Sequence, residues 1–204
     1  MKQVALTFDD GPDVTTTPKI LKLLSEYRAK ASFMIWGQHA VKYPELVLDI
    51  QHAGHAVGNH SFTHQSLVGL TDQEVTAELR KTDKVLEEII GQTATFYRPP
   101  YGDINHHIAQ LVDSAAVIWS LDSEDWKTKE KTAIVTRVEN NVKDGDIILM
   151  HDLQEATILA LRELLPFFER NGYQLITIHQ MIGSILAHHV YYSRDKVINS
   201  IGKD

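Results

Sequence analysis

The chain has 204 residues, of which 43% are hydrophobic and 23% charged, a composition that suits one globular domain with a sizeable buried core. The formal net charge is −7 and no run of Lys or Arg occurs, which argues against a nucleic-acid partner. Cysteine is absent, so disulfides, thiolate metal ligands and a cysteine nucleophile are excluded.

Short apolar runs rich in β-branched and aromatic residues alternate along the chain with longer segments of helical period. This alternation predicts repeated β-α units around a parallel sheet. In chain order, the predicted strands cover residues 4–8, 31–35, 55–58, 95–97, 116–119, 146–150 and 174–176. The predicted helices cover residues 17–29, 44–53, 72–90, 105–113, 131–142 and 154–170. This strand count suits an α/β fold, an irregular (β/α) barrel of about seven parallel strands.

A single domain is predicted over residues 1–204, with residues 183–204 as a C-terminal extension. This segment contains the apolar stretch Val190-Tyr191-Tyr192 and a charged end. It could pack against the domain or form an oligomer contact, and the sequence does not indicate an oligomeric state. No apolar run approaches the roughly 20 residues of a membrane helix, so no membrane span is expected.

Two polar clusters predict a metal site with a separate base. Asp9-Asp10 stand where the first predicted strand breaks into a Gly-Pro turn, and His60 and His64 follow the third strand. Imidazoles at i and i+4 lie on one face of a helical turn, so both can bind one ion while an aspartate supplies a third ligand. Three protein ligands leave a position for water, as in catalytic metal sites. The second aspartate would then accept a proton from that water.

Each cluster also has a structural interpretation. Asp9-Asp10 could be a solvated turn, and His60 and His64 could be surface or capping residues. Both clusters, however, fall at the C-terminal ends of predicted strands, where barrel enzymes place their chemistry. This shared position favours the metal site. The remaining histidines are expected to have structural roles, His39 and the strand residue His55 among them.

Three further motifs follow in order: Arg98-Pro99-Pro100-Tyr101-Gly102, Asp122-Ser123-Glu124-Asp125-Trp126 and Leu149-Met150-His151. The earlier clusters belong to Thr7-Phe8-Asp9-Asp10-Gly11-Pro12 and His60-Ser61-Phe62-Thr63-His64. With these five motifs, from about residue 3 to about residue 182, the chain resembles the NodB-homology polysaccharide deacetylases, also called carbohydrate esterase family 4. The resemblance implies the same irregular barrel and a metal-dependent hydrolase.

The resemblance implies that the metal ligands are Asp10, His60 and His64. Zinc is the first expectation for the ion, since imidazole and carboxylate ligands with an open position suit it, but cobalt, nickel or iron could use the same ligands. Gln65 departs from the proline that commonly follows the second histidine in this family. That difference affects the rigidity of the loop and not the ligands.

The resemblance also implies the groups that move protons. Asp9 would be the general base, with Arg98 holding its carboxylate through a charge-assisted hydrogen bond. His151 would be the general acid that protonates the departing amine, and Asp125 would raise its proton affinity. A structural arginine in a Pro-rich turn is the alternative for Arg98. Asp122 is assigned no direct chemistry.

Four residues would contact the substrate. The backbone N–H of Tyr101 would help to stabilise the oxyanion, with Pro100 stiffening its loop. Trp126 and Leu149 would form apolar walls for a sugar face and an acetyl methyl group. Trp126 could instead be an ordinary core residue.

The function expected from this resemblance is metal-dependent hydrolysis of the acetamide of N-acetylglucosamine residues in a polysaccharide or oligosaccharide, of peptidoglycan or chitin type, with release of acetate. An N-acetylated glycan is therefore the expected partner. The alternatives are a deacylase of a small non-sugar amide, a non-haem iron oxygenase with the same ligand set, and a non-catalytic carbohydrate-binding protein. Asp9 and His151 argue against the last two, which need no base and acid.

The start of the chain bears on where the protein acts. The first predicted strand follows Met1-Lys2 directly, with no signal peptide before it, so the sequence as written predicts a cytoplasmic protein. An enzyme of the cell wall is normally exported. If the chain is a trimmed form of an exported protein, an extracellular or cell-wall-associated location is expected instead.

Overall fold

The computed structural model describes residues 1–200. Within them, ten strands form one curled, mostly parallel sheet: β1 (Lys2–Asp9), β2 (Ala31–Ile35), β3 (Ala56–Asn59), β4 (Phe96–Tyr97), β5 (Ala115–Val117), β6 (Leu121–Asp122), β7 (Ile147–His151), β8 (Tyr173–Leu175), β9 (His189–Tyr191) and β10 (Val197–Asn199). The helices are α1 (Thr17–Glu26), α2 (Gly37–Lys42), α3 (Pro44–His52), α4 (Asp72–Ile90), α5 (His106–Leu111), α6 (Asp125–Thr128), α7 (Lys131–Asn141), α8 (Glu155–Arg170) and α9 (Ile178–Ile182).

All seven predicted strands are present, with bounds within two residues of the prediction, and they pair in parallel. The predicted fold class is therefore confirmed. The six predicted helices are also present, although α1 ends three residues early, at Glu26. The additional elements have only two to six residues each, too few for a hydrophobic period to identify them.

The sheet order is β10-β9-β5-β4-β3-β2-β1-β7-β6, and β8 pairs with the first half of β1. Among residues 1–200 the two ends of this path, β10 and β6, do not pair, so the sheet curls as an open half-barrel. Within the predicted C-terminal extension, β9 pairs in parallel with β5, and its residues Val190 and Tyr191 are buried. That part of the extension is packed on the domain, and residues 201–204 lie outside the described part.

Strand β1 shows how the period of two separates core from site. Val4, Leu6 and Phe8 belong to a buried apolar cluster shared with α1 and α8. Thr7 and Asp9 are also buried, but they point to the opposite face, inside the curl of the sheet, because successive strand side chains alternate. The interior of the curl therefore contains polar groups that the outer apolar layer holds in place.

The parallel arrangement brings the C-terminal ends of several strands to one edge. Asp9 and His151 are the last residues of β1 and β7, while His60 and Arg98 directly follow β3 and β4. Motifs distant in sequence thus meet in space. Among residues 1–200, no helix combines the length and apolarity that a membrane span requires.

Candidate active site

A cavity of about 330 Å³ opens at this edge of the sheet. Its walls contain every predicted site residue except Arg98, Pro100 and Asp125, which are buried beside it. The complete lining is Asp9, Asp10, His60, His64, Tyr101, Gly102, Trp119, Asp122, Trp126, Leu149, His151 and Gln154. One cavity thus collects side chains from all five motifs.

The three predicted metal ligands lie together in the cavity. One ligand atom from each of Asp10, His60 and His64 lies within 4.8 Å of the others. The Oδ1 of Asp10 is 3.4 Å from the Nε2 of His60 and 3.0 Å from the Nε2 of His64. The Nδ1 of His60 contacts the carbonyl oxygen of Arg98 at 2.8 Å, so a proton on Nδ1 leaves the Nε2 lone pair free for an ion.

The donor set fits a divalent cation. The Oδ1 of Asp10 is buried and accepts no well-aligned hydrogen bond, although two imidazole nitrogens lie close to it. Burial opposes ionisation of Asp10, but the two imidazoles hold the pKa of its carboxyl well below the usual range. Burial likewise disfavours a charged His60, yet Asp9 and Asp10 raise its pKa. The negative charges of Asp9 and Asp10 therefore favour a cation among the three side chains.

The geometry of the histidine pair differs from the expected helical turn. Residues 60–64 are not helical, and Ser61 and His64 have positive φ angles of 63° and 62°. The prediction of a helical turn was therefore wrong, although the two rings do converge, with centroids 4.9 Å apart. The loop brings them together because Ser61 and His64 adopt the left-handed backbone conformation, which non-glycine residues rarely adopt.

Asp9 lies beside this cluster and is held by Arg98. The Nη1 of Arg98 donates to the Oδ1 of Asp9 at 2.7 Å, and the other oxygen of Asp9 lies 3.7 Å from the Nε2 of His60. Arg98 is fully buried and also donates to the hydroxyl of Thr7 and to the carbonyls of Val117 and Ile118. These contacts fix the arginine, which fixes one carboxylate oxygen and leaves the second facing the metal ligands.

His151 and Asp125 form the second charged pair. The Nδ1 of His151 is 2.7 Å from the Oδ1 of Asp125, whose Oδ2 accepts the backbone N–H of His151 and the hydroxyl of Thr157. Burial lowers the proton affinity of His151, but Asp125, with smaller effects of Asp9 and Asp10, outweighs it and raises the pKa to about 9. This pKa favours the protonated imidazole at neutral pH. Asp125 contacts Nδ1, so the second N–H, on Nε2, is not used in this pair.

Aromatic side chains flank the cavity. Tyr101 is 69% exposed and Trp126 is 50% exposed, so the interpretation of Trp126 as a core residue does not apply. Leu149 is buried at the cavity wall. Pro100 is buried at the start of a short 3₁₀ turn over residues 100–102 and is not among the lining residues described, so its predicted substrate contact stays a prediction.

Several residues around the site were not predicted. Trp119 lines the cavity and leaves room only for a glycine at position 102, where a Cβ atom would lie 2.4 Å from its ring. Trp36 packs against His64, and the Nδ1 of His39 contacts the backbone carbonyl of Asp10 at 2.8 Å. Trp36 directly follows β2 and Trp119 closely follows β5, so their position after strand ends was the available signal.

Fold and site together define a class of protein: a (β/α) half-barrel with a cluster of two histidines and one carboxylate that could hold a metal ion, beside a second carboxylate and an imidazole. A metal-dependent hydrolase requires groups of these kinds. The model of the family described as polysaccharide deacetylase matches residues 1–117, more than half of the chain. The chain belongs to this family, the NodB-homology or carbohydrate esterase family 4 proteins.

Individual relatives agree with this assignment. The chain is 38% identical over 180 residues to the peptidoglycan-N-acetylmuramic acid deacetylase PdaC of Bacillus subtilis, covering 88% of this chain and 38% of that protein. It is 36% identical over 185 residues to the peptidoglycan-N-acetylglucosamine deacetylase PgdA of Listeria monocytogenes, covering 91% of this chain and 40% of that one. The chain thus spans well under half the length of these two relatives.

A solved structure of similar size is also close. The family 4 acetyl xylan esterase of Clostridium thermocellum, in complex with a cobalt ion, superposes with a TM-score of 0.89 at 30% identity. The match covers 96% of this chain and all of that one. The fold of this chain therefore matches that solved chain over its whole length.

Proposed function

We propose that this chain is a metal-dependent N-deacetylase that hydrolyses the acetamide of N-acetylglucosamine residues in a polysaccharide or oligosaccharide and releases acetate. The observation behind this proposal is the meeting, in one cavity, of a metal-ligand cluster, a carboxylate held by a buried arginine and an imidazole held by a buried aspartate. The relatives named above support the glycan as substrate.

The metal would be held by Asp10, His60 and His64, with zinc as the first candidate and cobalt, nickel or iron as alternatives. When bound, a divalent ion supplies Lewis acidity and makes a water molecule acidic enough to act as a nucleophile near neutral pH. The arrangement of the ligands supports this assignment because the Oδ1 of Asp10 is buried and has no well-aligned hydrogen bond, although the Nε2 of His60 lies 3.4 Å away.

Asp9 would accept the proton of the attacking water. Its Oδ1 is engaged by Arg98, and its Oδ2 faces the metal-ligand cluster and lines the cavity. A base must lie within hydrogen-bond reach of the proton that it removes, and its orientation must be fixed. Arg98 provides that orientation through a single 2.7 Å charge-assisted contact.

His151 would donate a proton to the amide nitrogen as the C–N bond breaks. Asp125 accepts the Nδ1–H, so the Nε2–H is the proton available to the cavity. The raised pKa, about 9, favours the protonated imidazole at neutral pH. The nitrogen then leaves as an amine, and the carbonyl carbon retains the oxygen of the water as acetate.

The glycan would lie between Tyr101 and Trp126, the exposed aromatic residues beside the cavity. Leu149 would contact the acetyl methyl group, Pro100 would support the turn of Tyr101, and the Tyr101 N–H would donate to the oxyanion. Tyr101 has a φ of 64°, a left-handed backbone conformation, and it lies between Pro99-Pro100 and Gly102 in the sequence.

The test is acetate release from N-acetylglucosamine oligomers and from peptidoglycan, with mass spectrometry of the products. We expect loss of acetyl groups from at least one of these substrates. Hydrolysis of small non-sugar amides alone would indicate the related deacylase. Binding of the oligomers without acetate release, in protein loaded with zinc or cobalt, would indicate a non-catalytic carbohydrate-binding protein.

A further inference from the structure

The segment that bears His64 is held from two sides. On one side, the region after β2 pairs with its carbonyls: the N–H of Gly37 donates to the carbonyl of Ser61 at 2.9 Å, and the indole N–H of Trp36 donates to that of Phe62 at 2.9 Å. On the other side lies helix α4. The segment therefore depends on contacts from distant parts of the chain, because residues 60–64 form no helix of their own.

Helix α4 contacts the N–H groups of this segment through Glu78. One carboxylate oxygen, Oε2, accepts the backbone N–H of Phe62 at 3.0 Å and that of Thr63 at 2.7 Å. Both bonds are charge-assisted, which makes them stronger than bonds between neutral groups. The two N–H groups immediately precede His64, so Glu78 is attached to the backbone that presents this imidazole.

Backbone conformation explains why such an anchor is needed. Ser61 and His64 both have positive φ angles, a conformation that is unfavourable for side chains with a Cβ and persists only where surrounding contacts enforce it. The ring of His64 lies against Asp10 with a 3.0 Å Nε2–Oδ1 distance. A shift of residues 62–63 toward another conformation would therefore move the ring away from Asp10.

We propose that Glu78 is a positioning residue for the metal site: by accepting the N–H groups of Phe62 and Thr63, it holds His64 in the position from which it binds the ion. This inference rests on the proposed metal site and adds a residue outside the five motifs. Glu78 does not line the cavity and acts only through the backbone of the segment.

Two conservative variants separate the hydrogen bonds from the charge. Glu78→Asp keeps the charge but withdraws the acceptor by one methylene, whereas Glu78→Gln keeps an acceptor oxygen at the same reach and loses the charge. Glu87→Asp is the matched control, because Glu87 is exposed on the same helix. The measurement is the zinc dissociation constant, obtained by competition with a chromogenic chelator well below the melting temperature of each variant.

We expect Glu78→Asp to weaken zinc binding by about tenfold or more, the usual effect of removing an outer partner of a metal ligand. Glu78→Gln should stay closer to the wild type, and Glu87→Asp should equal it. In a His64→Ala background, Glu78→Asp should add little further loss, because the ligand through which it acts is already absent.

Equal zinc affinity of Glu78→Asp and Glu87→Asp would overturn the proposal. So would full additivity with His64→Ala, since it would show that Glu78 does not act through the segment that bears His64. Failure of the wild type to bind one zinc ion would instead overturn the proposed metal site, and this inference with it.

Discussion

Asp9 and His151 are register partners in the parallel ladder between β1 and β7. In a parallel pair, partner residues point to the same face of the sheet, so the register places the proposed base and acid on one side, at the C-terminal edge. A slip of one residue would turn one of them toward the helices. The apolar cluster that buries Leu6 and Phe8 therefore also fixes the relative position of Asp9 and His151.

Removing the metal should abolish activity and leave the fold in place. The ligands lie at the edge of a sheet whose core is formed independently by apolar side chains, so a catalytic ion adds little to folding. We expect chelator-treated protein to lose acetate release, to keep its circular dichroism spectrum, and to recover activity with zinc or cobalt. Magnesium, which prefers oxygen ligands, is the control and should not restore it. Full activity in protein shown to be metal-free by elemental analysis would contradict the proposed mechanism.

The two adjacent aspartates should fail in different ways when each is replaced by asparagine. Asp9→Asn removes the proton acceptor but none of the proposed ligands, so we expect one equivalent of zinc and a large loss of kcat. Asp10→Asn removes the anionic ligand, so we expect weaker zinc binding. Zinc titrations and turnover rates on the same preparations would show this difference. Equal zinc affinity of both variants would mean that the two roles are wrongly assigned.

The sequence patterns that identified the candidate metal ligands did not predict their geometry. The spacing of His60 and His64 selected the right pair, but a local helical turn was the wrong explanation, because the loop depends on Trp36 and Glu78 from distant parts of the chain. By contrast, helix α4 was predicted with its observed bounds, because its start signal is local: Thr71 and Glu74, three residues apart, form a capping box. The sequence thus predicted the helix, whose start signal is local, but not the loop conformation, which depends on contacts with distant parts of the chain.

Arg98 should matter for stability as well as for activity. It is fully buried, and replacing it by methionine would leave the carboxylate of Asp9 and two backbone carbonyls without their donors. Breaking a buried ion pair in this way costs about 3–5 kcal/mol. We expect that loss in the free energy of unfolding of Arg98→Met, measured by urea denaturation of the metal-free protein.

Two further variants test the origin of that loss. The exposed Arg162→Met should change the free energy of unfolding by no more than about 0.5 kcal/mol, as surface substitutions usually do. The double variant Asp9→Asn/Arg98→Met should cost less than the sum of the single changes, because a neutral amide is easier to bury unpaired than a carboxylate. Strict additivity would show that the Asp9 contact contributes little to the loss.

Asp125→Asn should move the alkaline limit of activity to lower pH. Burial disfavours the charged imidazole of His151, and Asp125, through its hydrogen bond and its charge, is the main factor that nevertheless raises its pKa to about 9. A general acid works only while protonated, so the activity that depends on His151 is present below its pKa and is lost as the pH rises through that pKa. Removing the charge of Asp125 lowers the pKa of His151. A bound cation lowers this pKa in both the wild type and the variant, so the difference between the two pKa values remains. The kcat/KM of each protein, measured from pH 6 to 10, checks this; coincident alkaline limbs would contradict it.

The His151→Ala variant tests the general acid most directly. An amine leaves an acetamide only if nitrogen is protonated as the C–N bond breaks, and none of the three proposed metal ligands can supply that proton. His151→Ala should therefore keep one equivalent of zinc and lower kcat on the N-acetylated sugar by about 10²–10⁴-fold, the usual contribution of general acid catalysis. An acetyl ester such as 4-nitrophenyl acetate has a leaving group that needs little protonation, so the same variant should lose far less activity on it. If the ester and the acetamide suffer equally while zinc content is unchanged, His151 does not act as the acid, and its pairing with Asp125 is structural.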